Sequence, residues 1–163
     1  MADLNKVMFQ VLTDSLPAGT SIARKYQNVG KLKNPKKGNQ FCSYFVSNEE
    51  SDGQDSITSV SATKTEYQGD RFFECLVELE GHGSNITLQG MQNYLRSQLS
   101  REFCNSVGVS YLGTSIQLQN LPAEYGGEYF ERSIIKLRML YTARYEEVLG
   151  IIETASADIT YSL

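Results

Sequence analysis

The chain has 163 residues, 40% hydrophobic and 21% charged, and its 15 Lys and Arg against 19 Asp and Glu give a formal net charge of −4. These values describe one ordinary soluble domain, able to remove about 70% of its unfolded surface from water without metals or disulfides. A single histidine, His82, excludes His-Glu-x-x-His zinc sites, and three widely spaced cysteines, Cys42, Cys75 and Cys104, with no Cys-x-x-Cys, argue against a disulfide framework or a zinc site.

The opening Met-Ala-Asp-Leu-Asn-Lys lacks the basic flank and apolar run of a secretory signal, so synthesis and folding in the cytoplasm are expected. Leu4, Val7, Met8, Val11 and Leu12 recur at helical spacing and predict a helix over about Asp3 to Ser15, with Asp3 as its cap and Pro17 and Gly19 as its stop. Residues 28–39, dense in Gly, Pro, Asn and Lys, read as a basic loop. Phe41 to Val46 reads as a strand, a polar segment follows, and the Thr, Val and Ser content of Ile57 to Tyr67 favours another strand.

Phe73, Cys75, Val77 and Leu79 alternate with Glu74, Leu76, Glu78 and Glu80, the pattern of a half-buried strand with one mostly acidic face. Leu88, Met91, Leu95, Leu99 and Phe103 predict a second amphipathic helix from about Thr87 to Phe103, capped by Ser84, Asn85 or Thr87, with Gly90 hinting at close packing of another backbone. Residues Phe103 to Ala123 carry no charge; their Asn, Gln, Ser and Thr rule out a membrane span, and Ser106 to Gln119, with two glycines, reads as a strand entered by a turn. A long strand is predicted from about Tyr129 to Tyr145, with Arg132, Lys136 and Arg138 on its polar face, then a turn at Glu146 and Glu147 and a last strand from Gly150 to Tyr161. The order points to an α+β fold, two amphipathic helices packed on one face of a mainly antiparallel, mixed sheet, in a single domain over residues 1–163.

Charge is unevenly distributed. Residues 1–48 carry seven bases and two acids, net +5; residues 49–80 carry nine acids and two bases, net −7; the remainder adds −2. Opposite potentials on different surfaces suit head-to-tail contact between identical subunits, with Arg24, Lys25, Lys31, Lys33, Lys36 and Lys37 as candidate contacts to an acidic neighbouring subunit. The same cations, with Tyr26 to stack on a base, are a weaker fit to nucleic acid, because the chain is acidic and lacks a reading motif.

Catalytic and cofactor patterns are missing. Neither glycine-rich nucleotide motif occurs, and Glu74 and Glu78 on one strand stand about 13 Å apart, beyond either glycosidase spacing. One of the cysteines with His82 would be the only nucleophile and base pair on offer, and a surface-turn histidine in Gly81-His82-Gly83 is the simpler reading. No enzyme activity and no cofactor are expected.

Leu118-Gln119-Asn120-Leu121-Pro122-Ala123, then Tyr129-Phe130-Glu131-Arg132-Ser133 leading into Leu137-Arg138-Met139-Leu140-Tyr141, and finally Gly150-Ile151-Ile152-Glu153, form an ordered series. Together with the strand and helix over Phe72 to Phe103, which contain Leu95-Arg96, this series resembles the neck or tail terminator proteins of tailed bacteriophages across about residues 70–160. The resemblance implies a non-enzymatic virion protein, a ring that is usually a hexamer. It would cap the tail tube, stop tube polymerisation and join the tail to the head connector, with DNA passing through its lumen without sequence-specific binding. On that reading Glu66, Asp70, Glu74, Glu78 and Glu80 are candidate channel-facing acids, since an acidic lumen repels phosphates. Another neck, connector or tail-completion protein is the nearest alternative. Ala18 to Asn39 matches nothing in the family pattern, and its cations would on this reading be subunit or connector contacts.

Overall fold

A computed structural model describes residues 3–25, 39–51, 53–61, 63–125 and 128–148. Helix α1 runs over Leu4–Ser15. The Asp3 carboxylate caps it, accepting from the Asn5 and Lys6 amides at 3.1 and 3.3 Å. Pro17 ends it by holding Leu16 in an extended conformation. The helix buries Met8, Val11 and Leu12.

The strands are β1 (Ser21–Arg24), β2 (Phe41–Ser51), β3 (Ser56–Val60), β4 (Lys64–Glu80), β5 (Ser110–Asn120), the short pair β6 (Ala123–Tyr125) and β7 (Glu128–Phe130), and β8 (Arg132–Val148). The main sheet has the order β1-β2-β4-β8-β5, with β3 also paired to β4. Only β1–β2 is parallel, which makes the sheet mixed and the class α+β. Strand β1, in a segment without periodicity, has no signature in the sequence.

Strands β4 and β8 pair antiparallel without a break from Lys64↔Val148 to Glu80↔Arg132. At ~3.3 Å per residue this ladder is about 55 Å long. Its odd positions in the lower half, Phe73, Cys75, Val77 and Leu79 against Met139, Leu137, Ile135 and Ser133, are all buried. A slip of one residue would turn the whole set outward, so the apolar alternation fixes the register. These side chains form one cluster with Met8, Val11 and Leu12 of α1, Leu88, Met91 and Leu95 of α2 (Ser84–Leu95), and Cys104 of α3 (Gln98–Ser106).

The described residues contain three helices, not two. The segment expected as one helix over Thr87 to Phe103 breaks at Arg96 and Ser97, where the Ser97 hydroxyl accepts from the Ser100 amide and starts α3. The periodic series Leu88, Met91, Leu95, Leu99 and Phe103 runs through this break, and Leu99 is 70% exposed. Helix α2 begins at Ser84 after Gly83, whose φ of +74° favours glycine; no side chain at Ser84, Asn85 or Thr87 caps it. Nothing approaches within 4 Å of the Cβ position at Gly90, so that glycine does not mark close packing.

Ile57 to Tyr67 is a hairpin, not a strand: β3 turns at Ser61, whose amide donates to the Lys64 carbonyl at 2.8 Å, and β4 returns. The strand expected from Tyr129 is divided at Glu131 into β7 and β8. Glu146 and Glu147 do not turn but pair with Glu66 and Thr65. The last strand expected over Gly150 to Tyr161 lies outside the described residues.

Leu137 is fully buried at the centre of the sheet, so Leu137→Ala is expected to cost about 2–5 kcal/mol in urea unfolding. Leu99→Ala should stay within about 0.5 kcal/mol, although sequence periodicity treats the two leucines alike.

Candidate functional site

The main sheet changes width along its length. Strand β2 pairs with Arg71–Glu80 and β5 with residues 133–140 of β8, so among the described residues the far half of the ladder carries only β3, β4 and β8. Within this three-stranded arm Thr65 is a buried residue, and no large apolar side chain among the described residues is buried beyond the level of Tyr141. An arm without an apolar core needs another source of order.

Polar groups supply it at the arm's root. Arg71 grips Asp55 with two parallel hydrogen bonds of 2.6 Å, and the Tyr145 hydroxyl donates to the same carboxylate at 2.8 Å. Such a fork fixes geometry as well as charge. Gly69 makes it possible, since a Cβ there would stand 1.8 Å from Asp55 Oδ1. Tyr145 stacks on Tyr67 with ring centroids 5.0 Å apart, and Tyr141 donates to Glu49. The hydrogen bonds from Arg71, and then from Tyr145, hold the Asp55 carboxyl below the usual carboxylate range. Burial, followed by the Glu49 carboxylate, pushes the Tyr141 phenol up to about 12. An open groove of about 590 Å³ lies beside this cluster, lined in part by Glu49, Arg71, Tyr141 and Tyr145.

The acids singled out in the sequence, Glu66, Asp70, Glu74, Glu78 and Glu80, occupy even positions of β4 and so share the face opposite the core. Bases meet them there. Lys25 Nζ lies 2.6 Å from Glu78, Lys136 is paired with Glu74, and Lys64 bridges Glu66 at 2.8 Å and Glu146 at 3.2 Å. Asp70 accepts from the Thr142 hydroxyl at 2.9 Å, and Glu80 stands in register with Arg132. The Arg138 guanidinium lies 4.6 Å over the Phe72 ring. Glu78 is only 8% exposed. Lys25 thus meets one of the acids within its own chain, and the −7 of residues 49–80 is set against cations of β8. Arg24 lies in β1; Lys31, Lys33, Lys36 and Lys37 lie outside the described residues.

The root cluster has no counterpart in the sequence reading. Asp55 and Arg71 are 16 residues apart across a hairpin, and only the register of that hairpin brings them together.

The remaining chemistry is sparse. All three thiols are buried, and burial raises each of them, Cys42 to about 12, the reverse of what a thiolate nucleophile requires. The His82 side chain is 96% exposed, with Nδ1 3.2 Å from Glu131. Glu131 also accepts from the Gly83 amide at 2.6 Å, at the start of α2. Among the described residues no group of three His, Cys, Asp or Glu is placed to hold a metal, and no helix is long and apolar enough to cross a membrane.

Asp55 has a depressed folded pKa, so its contribution is full above the unfolded value of about 3.9 and disappears as pH falls through the lower folded value. Native-state hydrogen exchange should therefore show Ser56–Val60 amides losing protection in acid before those of Val77 and Leu137, and Asp55→Ala should reproduce that pattern at neutral pH. In a separate measurement at pH 8, none of the three thiols should react with a disulfide reagent at the rate of free cysteine until urea unfolds the chain.

No curated protein matches the chain. A family model described as phage neck terminator protein matches residues 2–162, and so includes Ala18 to Asn39, where the sequence showed no likeness. The chain belongs to the phage neck terminator protein family.

Proposed function

We propose that this chain is a single-domain tail or neck terminator, a structural virion protein that assembles into a ring, with six copies as the expected number. The ring caps the tail tube, stops its polymerisation and joins it to the head connector, leaving a lumen for DNA. The observation that carries this reading is the family match over nearly the whole chain. The fold is consistent with it: among the described residues the main sheet ends in strand edges of the kind that bind other strands.

The channel-facing role of Glu66, Asp70, Glu74, Glu78 and Glu80 is proposed in modified form. Lys25, Lys64 and Lys136 pair with Glu78, Glu66 and Glu74 on that face, so these three acids repel a passing duplex less than free carboxylates would. Arg24 and the lysines of the basic loop remain the proposed subunit or connector contacts.

Native mass spectrometry of the purified chain should give a closed multiple of the 18.3 kDa subunit, and electron microscopy a ring with a central hole. Added to polymerising tail tubes, the protein should bind their ends and halt growth. A strictly monomeric chain that neither binds tubes nor stops them would overturn the reading.

A further inference from the structure

The charge-free segment Phe103 to Ala123 contains strand β5, the last strand on one side of the main sheet. Its outer edge has no strand partner among the described residues. Exposed edges are ordinarily guarded by lysine, by other charges or by proline within the strand, because their unpaired amides and carbonyls recruit other strands. Ser110–Asn120 has none of these, and Leu112 and Ile116 stand exposed along it. Three register shifts against β8 bend the strand, which narrows the set of edges able to fit it.

A second unguarded edge lies on the other side of the same sheet. Strand β3, Ser56–Val60, pairs among the described residues only with β4, carries no charge, and is exposed at all five positions, Ile57 and Val60 included. It is also the strand that the Arg71–Asp55 fork holds in place, since Asp55 immediately precedes it. Strand β1, the other edge on that side, is four residues long and contains Arg24.

We infer that β3 of one copy of this chain pairs with β5 of the next, joining the sheets of neighbouring subunits edge to edge. The partner is a second copy because one chain carries both halves of the contact on opposite sides of one sheet. A heterologous contact of this kind uses every such edge once when it closes into a ring, and leaves none open to promiscuous pairing. The inference rests on the ring-forming reading above and names the contact that builds the ring.

The test uses full-length chains with Ser59→Cys in β3 or Ser115→Cys in β5, both exposed positions. The native cysteines do not compete, because all three are buried. Mild oxidation of a mixture of the two variants should give a disulfide-linked pair of one Ser59→Cys chain and one Ser115→Cys chain, since paired strands bring Cβ atoms within bonding reach. Each variant alone should give no dimer. Ile116→Lys should shift the assembly to smaller species, whereas Ile86→Lys, a charge at a more exposed apolar residue on α2, should leave it intact. A ring that forms without the mixed disulfide and tolerates Ile116→Lys overturns the edge contact and leaves the ring standing. Dimers of a single variant overturn it in favour of a symmetric contact. A cysteine at 115 that is shielded from maleimide in a monomer overturns it in favour of cover by the chain's own residues. A wild-type chain that stays monomeric overturns the ring itself.

Discussion

The unbroken ladder between β4 and β8 is the constraint on which the rest of this structure depends. Seventeen consecutive pairs hold one phase, so a single choice of register decides which side chains are buried, which acids meet which bases, and where the sheet ends. In its lower half the ladder satisfies apolar alternation with helices α1 to α3 contributing to the same core. In its upper half the same phase presents Arg71, Gly69 and Tyr67 where apolar residues would otherwise stand.

That substitution divides the molecule energetically. The body is ordered by non-directional burial of Val77, Leu137, Met139 and their neighbours. The arm is ordered by directional contacts, the Arg71–Asp55 fork and the Tyr67–Tyr145 stack, which depend on protonation state and geometry. The strands of the arm are held in position without an apolar core beneath them. A bidentate ion pair at the root accomplishes this with few residues, and Gly69 is required because the carboxylate occupies the space of a side chain.

The charge sectors acquire a different meaning in the folded chain. Residues 49–80 are strongly acidic along the sequence, yet β4 lies beside β8 with its lysine and arginines, and Lys25 reaches Glu78 from the end of β1. Part of the separation is therefore taken up in pairs within one subunit, Lys25–Glu78 and Lys136–Glu74. The edges of β3 and β5 carry no charge at all, unlike the paired face of β4.

The sequence by itself determined the α+β class and the family, which the order of elements along the chain carries, and the cap at Asp3, the stop at Pro17 and the buried odd positions of β4 and β8, each of which depends on spacing within one segment. Phe73 to Leu79 and Ile135 to Met139 alternate regardless of what they pair with. Only the tertiary structure decided the break at Ser97, the hairpin at Ser61, the Asp55–Arg71 fork, the neutralised acidic face and the identity of the sheet edges. A helical period can run through a break, as the exposed Leu99 shows, and a charge run says nothing about its neighbours across a ladder. Those outcomes depend on which distant residues stand in register, and local periodicity carries no information about register between segments.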